Sequence, residues 1–480
     1  MPREIPSSVR TIHLMGVCGT GMGAFAGLLQ DAGYVVSGSD AGVYPPMSTQ
    51  LEKAGIELME GYQPGNLDHA PDLVVVGNVI RRDNDEAVGV RDRDLSYASF
   101  PETLSELFLK DRHPVVVAGT HGKTTTCSIL AHCLFELKTD PGFLVGGVLE
   151  NFGRNYRVGA HGAPFVVEGD EYDTAYFDKV PKFVHYRPHS AILTSVEFDH
   201  ADIYRDLDHV KDAFRSFVDL IPNDGVLLAC VDGDNVMEIA DRCRGPVQSY
   251  STREHPDATW LGRVSSADPA GMSFSVHRDG TLFGNFRACL VGDHNLANLC
   301  AVIGMLANLG HSADAIAEAL TSYRGVRRRQ TVFAEPHGIT LIDDFAHHPT
   351  AVKATIEATR LRFGTERRLW TVFEPRTNTT RRNFFQAEYG SAFNQSELLL
   401  VAPVHRADTV AEDERFDPKL LVSDANSHGV QACLCDGVEQ IIDRIAADGR
   451  TGDIVLILSN GGFEGIYERL PAALEAAAPS

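Results

Sequence analysis

Positive charge is scarce in this sequence. Its 480 residues carry 43 Lys and Arg against 65 Asp and Glu, a formal net charge of −22, and only nine of the 43 are lysines. A dedicated nucleic-acid binder shows a basic domain, and a protein that docks on anionic lipid needs clustered Lys and Arg. The balance argues against both partners. It does not exclude a small anionic substrate, because a pocket needs only a few local cations. Long apolar runs are absent too. No stretch of about 20 apolar residues is available to span a bilayer. The opening MPREIPSSVR has no apolar segment after its charges, so it does not read as a secretory signal. The nine cysteines are scattered, and the nearest pair, Cys433 and Cys435, is C-x-C without a paired zinc spacing. They read as buried thiols in a reducing cytoplasm.

What is present is ordinary globular composition, 44% hydrophobic and 22% charged. The length suggests roughly three domains. Short apolar runs alternate with helical patterns, the signature of βαβ units and parallel sheets, so the fold class is α/β. The first unit has strands at Thr11 to Met15, Tyr34 to Ser37 and Leu73 to Val76, and ends near Lys110, giving a domain over 1–110. The second, over 111–325, opens with the strand Val115 to Ala118 and has Phe165 to Val167 and Ala191 to Leu193 as central strands. Gly225 to Cys230 and the segment around 260–290 read as an added antiparallel region. The third, over 326–480, has strands at Thr340 to Ile342, Leu369 to Phe373, Leu398 to Val401 and Ile454 to Leu458. The Ala-rich tail PAALEAAAPS reads as a helix end.

The most informative local signal is Gly119-Thr120-His121-Gly122-Lys123-Thr124-Thr125 between a strand and a helix. A glycine turn in that position leaves backbone N–H groups free to wrap phosphates. Lys123 would neutralise β- and γ-phosphates, and Thr124 would offer its hydroxyl to Mg²⁺. This is a shortened form of the phosphate loop, with Val117 where the full form has its first glycine. Glu168 ends the run FVV and His200 lies in EFDHAD, both just past central strands, where ligands gather in such sheets. Glu168 suits Mg²⁺, which prefers oxygen donors; His200 is a less usual partner.

The amino-terminal turn runs from Gly16 through Gly19, Thr20, Gly21 and Met22 to Ala24 and fits G-x-G-x-x-A, with Asp40 at the distance expected of a ribose-binding acid. Such a turn recognises a pyrophosphate and not the rest of the ligand, so a nicotinamide dinucleotide, a UDP compound and a purely structural turn all remain open. Further on, Arg327-Arg328-Arg329, the run Asp343-Asp344-Phe-Ala-His347-His348-Pro349, Glu374-Pro-Arg376-Thr-Asn378 and Ser459-Asn460-Gly461-Gly-Phe463 each lie at a strand end or hinge. Arg376 could hold an acidic substrate by bidentate pairing.

Taken together, G-T-x-G-K-T-T, the D-H after the strand AIL, G-x-H-N-x-x-N at Gly292 to Asn298 and D-D-F-A-H-H-P resemble the ATP-dependent Mur ligases of bacterial peptidoglycan synthesis, over nearly the whole chain. GVCGTGM, YPPMS at 44–48, EGDEYDTAYFDK, KFVHYRP and EPRTN look most like the family's peptide-adding, recycling branch rather than its L-alanine-adding one. Two positions depart from the family pattern: Asp85 stands where a proline is common, and Arg215 falls where several members carry a carboxylated lysine, the nearest lysine being Lys211.

The resemblance implies a three-domain architecture, with Rossmann-like N- and C-terminal domains around a central phosphate-loop ATPase. It implies a cytoplasmic bacterial enzyme that uses ATP and Mg²⁺ to join the peptide L-alanyl-γ-D-glutamyl-meso-diaminopimelate to UDP-N-acetylmuramate. By the same analogy Lys123, Glu168, His200 and Arg329 are catalytic. Thr124, Glu168 and His200 hold metal. Gly119 to Thr125, Asn295, Asn298, Arg329, Asp344 and His347 bind ATP. Gly16, Gly19, Thr20, Gly21, Met22 and Asp40 seat the UDP-sugar, and Arg376, Asn378, Asn460 and Gly461 meet the peptide. The alternatives are an L-alanine ligase, a nicotinamide-dependent dehydrogenase using the first turn, and a non-catalytic UDP-sugar sensor.

Overall fold

The computed structural model describes residues 5–44, 47–201 and 203–477. Pro45 and Pro46 of YPPMS, Asp202 of EFDHAD and the last three residues of the Ala-rich tail lie outside them. Three sheets organise the rest.

The amino-terminal sheet has five parallel strands. Thr11–Met15 sits in its middle, between Val35–Asp40 and Leu73–Val76. The chain leaves the central strand and goes first to one side and then to the other, so a crevice opens at its carboxyl end. The glycine turn and helix Thr20–Asp31 lie there. The strand residues Ile12, Leu14, Val75 and Leu73 are fully covered by that helix's Phe25, Leu28 and Leu29 and their neighbours. Each such side chain contributes roughly 1.5–3 kcal/mol through burial.

The central sheet repeats the device. His113–Ala118 is flanked in parallel by Pro164–Gly169 and Ser190–Leu193. The register pairs Ala118 with Gly169 on one side and with Leu193 on the other, so three loops start at one level. One correction to the sequence reading belongs here. Val226–Cys230 is not part of the antiparallel region; it lies parallel to Ser190–Leu193 inside the main sheet. Its last four residues are wholly covered on both faces, as a parallel strand between helices must be. The antiparallel extension is Trp260–Asp268, Gly271–Arg278 and Thr281–Ala288.

The third sheet has six strands, with Ile454–Leu458 between Thr340–Asp344 and Leu369–Phe373. Asp344 pairs with Leu458 and Leu458 with Phe373, which levels the starts of DFAHHP, SNGG and EPRTN. Thr331–Ala334 adds an antiparallel edge. The final helix is Ile466–Ala476.

The sheets are joined by packed contacts. A Cβ built on Gly27 of the first helix would lie 2.3 Å from the Tyr156 ring of the central unit, so only glycine allows the helix that close. The hairpin Asp173–Ala175 and Asp178–Pro181 reaches the other way: Arg91 donates to the Tyr176 hydroxyl at 2.8 Å and the Tyr97 and Phe177 rings meet edge to face at 5.2 Å. Among the described residues no helix is long and apolar enough to cross a membrane.

Candidate functional site

The phosphate loop leaves the central strand through two backbone conformations that side chains rarely adopt, φ +133° at Gly119 and +82° at Gly122. A Cβ on Gly119 would lie 2.2 Å from the Thr194 hydroxyl, and one on Gly122 would lie 2.6 Å from Asn298 Oδ1. The helix Lys123–Glu136 follows at once, so its first amides face the loop. The loop is held from the neighbouring strand end: Thr120 N–H donates to the Ser195 carbonyl at 2.9 Å, His121 N–H to Ser195 Oγ at 3.0 Å, and Thr120 Oγ1 to the Glu197 carbonyl at 3.2 Å. Thr125 is buried in the first helical turn.

Lys123 donates to the Gly119 carbonyl at 2.6 Å and to Glu171 at 2.9 Å. Burial opposes its charge, but Glu171, Asp170 and Glu168 together raise its pKa. Glu171 is buried and its pKa is held down to about 2: burial opposes ionisation, and Lys123 and His200 overcome it. His200 Nε2 lies 3.3 Å from Glu171 Oε1 and 3.8 Å from Asp199. Its imidazolium is favoured by those two carboxylates against burial. Glu171 thus ties Lys123 to His200. Nothing in the spacing of EGDEYD singles out Glu171; only its pairing with Lys123 and His200 in the fold does.

Glu168 accepts from Thr124 Oγ1 at 3.1 Å and from Gly146 N–H at 2.5 Å. Burial and then the nearby Asp170 raise its pKa, and the Gly146 amide, Lys123 and the Thr124 hydroxyl offset part of the rise. A hydroxyl and a half-buried carboxylate converging at the foot of a phosphate loop fit Mg²⁺, which takes few protein oxygens and fills its shell with phosphate and water. His200 faces Glu171 rather than Glu168.

The wall beyond the loop is built from the helix Asp293–Asn308. Asn298 donates to Asn295 Oδ1 at 3.4 Å, and Asn295 donates to the Val291 carbonyl at 2.9 Å; both are buried. His294 is neutral, its pKa pushed down to about 4 by burial and by Arg329. Arg329 stacks on Phe345, 4.9 Å from the ring centroid. Arg327 and Arg328 turn elsewhere, Arg327 to Glu150 on the surface and Arg328 to Asp343 and the Ser459 carbonyl. Asp344 is buried with its oxygens taking the Gln330 and Ala346 amides at 2.8 and 2.7 Å, so it shapes the loop that carries Arg329 and His347. His347 is half-buried, with Nδ1 3.2 Å from the Phe345 carbonyl.

The third unit closes directly on the central one. Thr350 donates to Glu197 at 2.8 Å, Thr379 donates to Asp199 at 2.7 Å, and the His121 and His348 rings lie 4.7 Å apart. Glu197 is held down to about 2 against burial by the hydrogen bond from His121 and the charge of His121. Nothing in the spacing of Glu197 and Asp199 marks them as an interdomain latch; only the closed arrangement does.

The amino-terminal turn borders a cleft of about 550 Å³. Gly16, Gly19, Thr20, Gly21, Met22 and Asp40 all line it. Asp40 Oδ2 accepts from Cys18 N–H at 2.9 Å and Oδ1 from Gly42 N–H at 3.3 Å, so its carboxylate holds the turn in shape. Burial and then Asp40 push the Cys18 thiol up to about 11, which keeps it neutral.

At the far end Arg376 pairs with Glu374 at 3.1 Å and lies over Gly461, where a Cβ would sit 2.2 Å from its Nε. Glu374 accepts from Ser459, and Gly461 N–H donates to Ser459 Oγ at 3.0 Å. Arg376 and Gly461 therefore lie against one another, while the Asn460 side-chain oxygen is buried beside them in the chain. Asn378 takes part in the next turn, accepting from Arg381. Lys211 and Arg215 pair with Glu238 on the helix Leu207–Val218.

Three family descriptions match the chain in succession: the Mur ligase family catalytic domain over residues 11–112, the Mur ligase middle domain over 117–306 and the Mur ligase glutamate ligase domain over 327–461. The UDP-N-acetylmuramate–L-alanyl-γ-D-glutamyl-meso-2,6-diaminoheptandioate ligase of Escherichia coli K12 is 38% identical over 96% of this chain and 97% of its own. The UDP-N-acetylmuramate–L-alanine ligase of Acetivibrio thermocellus is 30% identical over 95% and 94%. A crystal structure of a murein peptide ligase from Psychrobacter arcticus 273-4 superposes with a TM-score of 0.73 at 35% identity, covering 98% of this chain and all of that one. The phosphate loop, its acids and the glycine-lined amino-terminal cleft are thus parts of one architecture shared end to end, and the chain belongs to the Mur ligase family.

Proposed function

We infer that this chain is an ATP-dependent amide ligase that joins the tripeptide L-alanyl-γ-D-glutamyl-meso-diaminopimelate to UDP-N-acetylmuramate, in peptidoglycan recycling. The observation that carries it is the 38% identity with the E. coli tripeptide ligase along nearly the whole of both chains, against 30% to 34% with L-alanine ligases. On this reading residues 1–110 bind the UDP-sugar, 111–325 bind ATP and 326–480 receive the peptide, in the cytoplasm of a bacterium.

The chemistry asks for charge control. A carboxylate is a poor electrophile because oxide is a poor leaving group, so the γ-phosphoryl of ATP is first transferred to the lactyl carboxylate. The peptide amine then attacks the acyl phosphate, and the tetrahedral intermediate collapses to amide and phosphate. Two anions approach in the first step, and preorganised cations and N–H groups lower that barrier most. Lys123 and the amides after Gly122 bind the β- and γ-phosphates. Thr124 and Glu168 would hold Mg²⁺, which supplies neutralisation of the transferring phosphoryl group. His200, held by Glu171 and Asp199, stands beside Lys123 as a second positive group. Arg329 approaches with the third unit, and closure through Glu197 and Asp199 brings it in. Arg376 offers its guanidinium to a carboxylate of the peptide.

The test is an assay of phosphate release and product mass with ATP, Mg²⁺, UDP-N-acetylmuramate and either the tripeptide or L-alanine. Ligation with the tripeptide that EDTA abolishes is the expected result. Ligation of L-alanine alone transfers the chain to the other branch.

A further inference from the structure

We propose that Lys182 is the cation that binds an oxyanion of the UDP-sugar, supplying from the central unit the charge that the amino-terminal glycine turn lacks; this rests on the cleft at that turn being the UDP-sugar site. Among the described residues that line the cleft, Lys182 is the only cation and Asp40 the only acid. Asp40 already spends its oxygens on the Cys18 and Gly42 amides. The diphosphate and the lactyl carboxylate would otherwise enter a cleft whose only positive potential comes from amides at a helix start.

Lys182 is built into place rather than trailing in solvent. Its side chain is 17% exposed, its ammonium lies 3.1 Å from Asp170, and the Phe100 and Tyr172 rings sit 5.7 and 5.2 Å away. Phe100 belongs to the amino-terminal part and also lines the cleft. The hairpin just before Lys182 packs its Tyr176 and Phe177 on Arg91 and Tyr97, which sets the distance between Lys182 and the turn. Asp170, its partner, lies two residues beyond Glu168 and contributes to the field at Lys123. Lys182 therefore joins the cleft, which it lines, to the acidic run beside Lys123 through its pairing with Asp170. An incoming oxyanion replaces or joins Asp170 as its counter-charge, with no covalent step involved.

Equilibrium binding of UDP, UDP-N-acetylglucosamine and UDP-N-acetylmuramate to the full-length wild type, Lys182→Met, Lys182→Arg and Asp170→Asn decides the matter. Lys182→Met is expected to weaken binding by about tenfold or more. The loss falls on all three ligands if the oxyanion is the diphosphate and on UDP-N-acetylmuramate alone if it is the lactyl carboxylate. Lys182→Arg recovers most of the affinity, ATP binding is unchanged in both Lys182 variants, and Asp170→Asn does not reproduce the loss of UDP-ligand binding. Binding of all three ligands to Lys182→Met within about twofold of wild type overturns the proposal. So does an equal loss in Asp170→Asn together with a lowered melting temperature, which would make Lys182 a structural ion pair. A wild type that binds none of the three ligands sinks the underlying reading of the cleft instead.

Discussion

The turn at Gly119–Thr124 and the turn at Gly16–Met22 share a plan, a central parallel strand running through glycines into a helix, and differ in how they are charged and strained. The first carries its own cation, and that cation is already countered by a buried carboxylate 2.9 Å away. It also holds two glycines at positive φ with neighbours in contact range of any Cβ. The second carries no cation, is tied at the Cys18 amide by Asp40, has one glycine at positive φ, Gly16 at +84° with ordinary contact distances around a Cβ, and leaves Gly21 facing open space. A site that must move charge during chemistry fixes its cations beforehand, because reorganising them at the moment of reaction would cost rate. A site that only has to hold a ligand can be looser and take part of its charge from elsewhere.

The largest test of this contrast is Lys123→Ala, expected to lower ligation by about 10²–10⁴-fold while leaving UDP-sugar binding near wild type. Turnover close to wild type removes the phosphate loop from the mechanism. The removed lysine also leaves Glu171 buried beside His200 alone, so melting temperature should be recorded with the rates.

A pair of glycine substitutions sharpens the strain side. Gly122→Ala forces a side chain into φ +82° and against Asn298, and should cost about 1–3 kcal/mol of stability as well as ATP affinity. Gly21→Ala stands in the first turn of its helix with nothing within 4 Å. It should leave stability unchanged or raise it by about 0.5–1 kcal/mol, with any loss confined to UDP-sugar binding. Equal destabilisation by both would erase the distinction between the two turns; chemical denaturation measures it.

The smallest expected effect is in pH. His294 and His348 have folded pKa values lowered to about 4, from burial first and from neighbouring positive groups second. Both are neutral in the fold and take up protons on unfolding, so the unfolded state binds more protons below about pH 6.5. Stability is therefore fully present above that pH and declines as pH falls toward 4. Glu197 adds to the decline below its unfolded value near 4.5, its folded pKa being about 2. His348→Gln should flatten the fall in melting temperature between roughly pH 6.5 and 4.5 without touching the amino-terminal cleft. An unchanged slope would show that the contact near the phosphate loop is not what titrates.

Much of this was legible in order along the chain. Both glycine turns, Glu168, His200, the G-x-H-N-x-x-N helix start and the three carboxyl-end loops of the last sheet all fall directly after apolar runs, and in a parallel sheet that position is the ligand edge. The strand Val226–Cys230 was assigned to the wrong part of its sheet, because an apolar run of five says strand but not which neighbours it has. Glu171, Glu197 and Asp199 were not singled out, since they lie in loops without period or spacing rule and acquire meaning only through partners far away in sequence, Lys123, Thr350 and Thr379.

The sequence by itself determined the α/β class, the two glycine turns between strand and helix and the family, because glycine at strand ends and apolar periodicity are local properties that the backbone must obey. Tertiary structure alone decided which acid neutralises Lys123, that His200 answers to Glu171 rather than Glu168, and that Lys182 reaches the cleft of another unit. Those pairings depend on how sheets and hairpins bring separate strand ends to one level, and electrostatic energy depends on that distance and burial rather than on separation along the chain.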